Sequence, residues 1–168
     1  MSIKKISILA LLLYFIKLNS YADIKTEKKF KMWESQYMTK DGKKICFAVS
    51  MPTNMLPKNL SRAESRIFVS FRPSEKINNE ISITGGYKYK KKSQVKVNVG
   101  NSNFKLEVKD NFAWLVSYDD EIKMIREMKK SNKAKVIGTS SRGNKTTDTY
   151  SLMGFTNAYN AARKNCRK

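Results

Sequence analysis

The chain has 168 residues and not one histidine. That excludes Ser-His-Asp and Cys-His catalysis, imidazole acid–base chemistry and every zinc site that uses histidine. Cysteine is confined to Cys46 and Cys166, too few to cage a metal. No G-x-x-x-x-G-K-[ST] or G-x-G-x-x-G phosphate loop occurs. No G-x-S-x-G elbow singles out Ser151 or any other serine as a nucleophile. The 7 glycines and 3 prolines nowhere cluster into a linker. No apolar run reaches the roughly 20 residues that a membrane-spanning helix needs. The chain is therefore read as non-enzymatic, with no catalytic residue, cofactor or metal ligand assigned.

The longest apolar run, Ile6–Ile16, follows a basic start, MSIKK, and is closed by Lys17. Ser20 and Ala22 then stand at −3 and −1 of a cleavage point before Asp23, the pattern of a secretory signal peptide. Residues 1–22 are expected to be removed, leaving 23–168 as one domain. The location expected is the periplasm, with the outer surface or the medium as alternatives. Two cysteines in an exported chain predict one disulfide, Cys46–Cys166. In the chain-entropy model so long a loop contributes on the order of 4–5 kcal/mol.

Acids are scarce: 14 Asp and Glu against 34 Lys and Arg, a net charge of +20. In the cytosol such a balance would point to nucleic acid. For an exported chain no nucleic acid is expected, and the partner is an acidic protein, an anionic envelope polymer or a membrane surface touched peripherally. The alternative is that lysine merely keeps the protein soluble. GGYKYKKKSQ, residues 85–94, interleaves Tyr87 and Tyr89 with Lys88, Lys90, Lys91 and Lys92. It reads as a patch for an anionic partner or as a hairpin arm with a solvated lysine edge.

Alternating apolar and polar positions dominate the rest. KKICFAVSM, SRIFVSFRP, EISIT, SQVKVNV, FKLEV and KAKVIGTS read as strands, with TDTYSL short and MWESQY weaker. FAWLVS is apolar on both faces, as in a central strand. Pro52 and Pro57 mark a loop, and Gly85-Gly86, Gly100-Asn101 and Lys109-Asp110-Asn111 mark turns. Strands spaced by about 8–12 residues predict an antiparallel sandwich or barrel. Two segments break the alternation. Near 119–130, Asp119-Asp120-Glu121 opens a helix and lysines close it, which complements the helix dipole; Ile122, Ile125 and Met128 are its expected buried stripe. Those acids are therefore read as a helix start, not as a catalytic pair, and Glu75, Glu80, Glu107 and Asp148 as isolated. Near 154–166, Phe155, Ala158, Tyr159, Ala162 and Cys166 share one helical face, so the cysteine reads as an anchor.

Several short pieces stand in a telling order along the chain. Trp33 precedes GKKICFA (42–48), and Phe71-Arg72-Pro73 closes a strand. Asn79-Glu80 leads to Gly85-Gly86-Tyr87, then Phe104-Lys105-Leu106, Ala113-Trp114 and Met128-Lys129-Lys130. GTSSRG (138–143), TTDTYSL (146–152), Gly154-Phe155 and Cys166 complete the set. In this the chain resembles the invasion-associated locus B family of exported bacterial proteins. The resemblance implies an immunoglobulin-like β-sandwich and an envelope location, with no catalytic residue and no cofactor. It departs at Arg62-Ala63, where members often show Arg-Gly. Within the motif, Arg142-Gly143 is expected to form a turn, Asp148 to hold Arg142 or cap nearby amides, and Tyr150 and Phe155 to cover the sandwich end. The leading function is a binding or supporting role toward an envelope component through a basic surface. The alternatives are a secreted or surface factor aiding host-cell contact, and a small cell-envelope hydrolase.

Overall fold

The computed structural model describes residues 23–167. The expected signal peptide, Ala22 included, lies outside them, and Asp23 is exposed. The period-two pattern becomes strands: β1 Lys25–Phe30, β2 Trp33–Lys40, β3 Lys43–Ser50, β4 Asn54–Leu56, β5 Arg66–Arg72 and β6 Ile77–Thr84. After these come β7 Gln94–Val99, β8 Ser102–Lys109, β9 Phe112–Trp114, β10 Lys133–Thr139 and β11 Lys145–Ser151. Helix α1, Tyr118–Lys130, precedes β10, and α2, Phe155–Asn165, follows β11. Every pairing is antiparallel, in the order β1-β2-β3-β5-β6-β9-β8-β7-β10-β11-β4. The mainly β class with two helices matches the expected sandwich.

The inward positions supply one core. Ile67, Val69, Ile81, Ile83, Val95, Val97, Val99 and Leu106 are fully buried. Trp33 of β2 crosses to β11, where its indole N–H donates to the Ser151 carbonyl at 2.9 Å. Helix α2 lays its predicted face over this core. Phe155 meets Trp33 at 4.8 Å between ring centroids, and Tyr159 meets Phe71 at 5.4 Å. Tyr159 also donates to Asn79 at 2.6 Å. The Cys46–Cys166 disulfide closes across β3 and the end of α2, with the two Cα atoms 5.7 Å apart. Gly154 starts α2 with φ +95°, and a Cβ there would sit 1.8 Å from the Phe30 carbonyl oxygen.

Four expectations need correction. FAWLVS is a strand only as far as Trp114; Leu115 is buried but Val116 is 79% exposed, because Ser117 already caps α1. The buried stripe of α1 is Glu121, Met124, Ile125 and Met128, with Ile122 only half-buried. The Pro52–Pro57 loop contains β4, which pairs with β11. The lysine-rich arm is tied into the sheet, since Tyr89 bridges Ser140 and is buried.

Candidate functional site

Asp148 faces inward on β11 and is almost fully buried. The sequence expectation paired it with Arg142, and the structure overturns that. Arg142 lies exposed in the hairpin turn, where Gly143 takes φ +86° and donates its N–H to the Ser140 carbonyl at 2.9 Å. The turn is as expected, but alternation along β11 points Asp148 to the opposite, interior side. Its partner is Arg62, from the loop before β5. Arg62 Nη1 donates to Asp148 Oδ2 at 2.8 Å and Nη2 donates to Oδ1. Only 3% of the Arg62 side chain and 2% of the Asp148 side chain are exposed.

A buried ion pair must satisfy its remaining hydrogen-bonding groups. Arg62 Nη1 also donates to the Gly85 carbonyl at 2.9 Å, and its guanidinium lies 5.7 Å from the Tyr87 ring centroid. Ser65 Oγ stands 2.8 Å from Asp148 Oδ2, 2.8 Å from the Thr84 carbonyl and 2.7 Å from the Tyr150 hydroxyl. The charged carboxylate is the stronger acceptor, so the protons run Tyr150 to Ser65 to Asp148. Burial pushes the Tyr150 phenol well up, which keeps that proton in place. Burial works against the charge of Arg62, but the bonds to Asp148 outweigh it and the guanidinium holds its proton more firmly than usual. The node also depends on Gly86: Ala63 donates to its carbonyl at 3.1 Å, and a Cβ at Gly86 would lie 1.9 Å from the Ala63 oxygen. This arrangement ties the 62–65 loop to β11 and to the Gly85-Gly86 turn. It is structural, because each group is engaged by the protein itself. Phe155, the first residue of α2, is buried against Trp33, and Tyr150 is buried within the node.

The outward side of β8, β7, β10 and β11 is different in kind. Lys105 of β8 stands directly opposite Lys96 of β7. On β10, Lys135 stands opposite Asn98 of β7 and Thr149 of β11, and Lys133 stands opposite Ser151. Lys145 is paired with Thr139, and the Lys90 N–H donates to the Thr139 carbonyl at 3.0 Å. Tyr89 turns inward, so Lys90 turns outward and joins this face. Lys90, Lys96, Lys105, Lys133, Lys135 and Lys145 are exposed, and no carboxylate lies within ion-pair distance of any of them among the described residues. Lys88 is the exception at the margin, 3.2 Å from Asp110. Lys91 and Lys92 lie in the exposed turn before β7. Sequence reasoning found the 88–92 cluster but not the lysines on the sheet. Their signal was present in alternation, V-K-V-N in β7, K-A-K-V in β10 and F-K-L in β8, but only the register brings them side by side.

The model of the family described as invasion associated locus B (IalB) protein matches residues 33–163. The chain belongs to that family. Searches among curated proteins and among solved structures found no match. The family match begins at Trp33 and runs into α2, so it takes in the buried node and the lysine face alike. A disulfide fits a location outside the reducing cytoplasm. No helix among the described residues is long and apolar enough to cross a membrane.

Proposed function

We propose that this family member works outside the cytoplasm as a non-enzymatic binding module for an anionic component of the cell envelope. The observation that carries the reading is Lys96 facing Lys105 across β7 and β8, with Lys90, Lys135 and Lys145 on the same face. Like charges placed directly opposite in a sheet destabilise it by a few tenths to about 1 kcal/mol. A fold held only for its own stability has no use for that placement, whereas an anionic partner relieves it on contact. The face carries one carboxylate on β8, Glu107, which accepts from Gln94 at 2.8 Å, and its row of lysines without ion pairs suits an extended charged layer better than a small ligand. The signal-like leader and the disulfide support export, with the periplasm as the compartment proposed.

The test is cosedimentation of residues 23–168 with vesicles containing phosphatidylglycerol, with pure phosphatidylcholine vesicles as the comparison. Binding to the anionic vesicles alone is expected, and it should fade as salt shortens the screening length toward about 3 Å at 1 M. Lys96→Gln/Lys105→Gln/Lys135→Gln should abolish it with the fold intact. Equal binding to both vesicle types, or retention that ignores salt, would reject the reading.

A further inference from the structure

A concavity of about 680 Å³ lies where β5, β6, β9 and α1 converge. Its polar wall is fixed by Arg72 at the end of β5. Nη1 and Nη2 of Arg72 donate to Glu80 at 2.7 Å each, and Nε donates to Glu75 at 2.9 Å. The floor is Glu121 of α1, only 9% exposed. Its Oε1 accepts the Ile81 N–H at 3.2 Å, just past the point where β9 stops covering β6 at Ser82 and Trp114. No cation forms an ion pair with Glu121 among the described residues, in a chain of net charge +20. Burial chiefly, with help from the Glu80 charge, pushes its carboxyl up to about 7. Near neutral pH it can therefore either give or take a hydrogen bond.

Two aromatic rings complete the cleft. Trp114 is half-buried on β9 and Tyr118 is 62% exposed at the start of α1. Lys76 and Lys109 are exposed at the rim, without ion pairs among the described residues. An apolar ligand would strip water from Arg72, Glu80 and Glu121 without replacing its hydrogen bonds, which is costly. A small inorganic anion would meet two carboxylates. A metal ion is disfavoured, since no group of three ligating side chains exists among the described residues. A saccharide meets the requirements together: C–H faces for the rings, hydroxyls for fixed donors and acceptors, and a size within the usual range of ligand pockets.

We propose that this cleft binds an acidic saccharide. Its ring faces lie on Trp114 and Tyr118, its hydroxyls meet the Arg72–Glu80 fork and Glu121, and its carboxylate reaches Lys76 or Lys109. The proposal stands apart from the lysine face, which shares none of these residues.

Trp33 is fully buried, so Trp114 is the tryptophan that reports on the cleft. Titrating residues 23–168 with tetragalacturonate should give a saturable change in tryptophan fluorescence, and neutral maltotetraose a weaker one. By calorimetry, Trp114→Ala and Tyr118→Ala should each weaken tetragalacturonate binding about tenfold, the scale of one aromatic contact. Lys76→Gln/Lys109→Gln, both exposed and safe for folding, should erase the preference for the acidic sugar. Absence of saturable binding by either sugar would overturn the proposal. So would binding that survives Trp114→Ala and Tyr118→Ala but is lost in Lys96→Gln/Lys105→Gln, since the probe would then sit on the sheet. Equal affinity for both sugars would overturn its acidic part.

Discussion

Removing Arg62 should cost this protein more than removing any other basic side chain. The guanidinium and Asp148 are 3% and 2% exposed, joined by two hydrogen bonds, and Asp148 is bonded further to Ser65. Truncation to Arg62→Ala leaves a carboxylate buried without its counter-charge, and Asp148→Ala leaves a buried guanidinium. Breaking such a pair from either side costs about 3–5 kcal/mol. At roughly 2–4 °C per kcal/mol for a chain near this size, the melting temperature should fall by about 6–20 °C. Arg142→Ala, at the exposed turn, should change stability by less than about 0.5 kcal/mol. Because each single loss leaves an unpaired charge, the double variant Arg62→Met/Asp148→Leu should recover most of what either single variant loses. Urea titrations of the four variants, with the disulfide intact, measure all of this. An Arg62→Ala protein within 1 kcal/mol of the parent, or an Arg142→Ala protein as damaged as Arg62→Ala, would refute the reasoning.

Two further outcomes follow from other parts of the fold. Cys46→Ala/Cys166→Ala frees a loop of 120 residues and should lose on the order of 4 kcal/mol in denaturant titrations; an unchanged midpoint would mean that packing of α2 alone holds the tail. Glu121 has its carboxyl raised from about 4.5 to about 7 in the fold, so the folded state disfavours its charged form. Stability from this group is fully present below pH 4.5 and is lost as pH rises to about 7, by roughly 1–3 kcal/mol when water in the cleft is allowed for. The other charged groups lining the same cleft are Glu80, Arg72 and the rim lysines Lys76 and Lys109, and of these Glu80 raises the Glu121 carboxyl. Glu121→Gln should flatten this slope between pH 4.5 and 7, and an identical slope in the variant would show that other groups set it.

Much of the fold was legible because a buried sheet face writes itself as alternation. The β3, β5, β7 and β8 segments are cases in point, and the helical face of α2 carries its cysteine to the predicted place. What could not be read had no such signature. Strand β1, KTEKKF, is exposed except at Phe30 and pairs in the sheet with β2 alone, so no apolar period marks it. Strand β2 places Ser35 inward between Trp33 and Tyr37, which weakens its pattern. In α1 the inward position Glu121 is a carboxylate, and polarity hid its burial. The partner of Asp148 was missed for a different reason: proximity along the chain favoured Arg142, while the true partner comes from a loop 86 residues away. The lysine face emerged only from strand register, since β7, β8 and β10 each look like ordinary half-exposed strands.

The most direct test of the binding reading is to measure stability and anionic-vesicle binding together in Lys105→Gln. Relief of the Lys96–Lys105 repulsion should raise stability by a few tenths to about 1 kcal/mol, while binding to phosphatidylglycerol vesicles weakens. A variant that is no more stable than the parent and binds the vesicles as well would contradict the account.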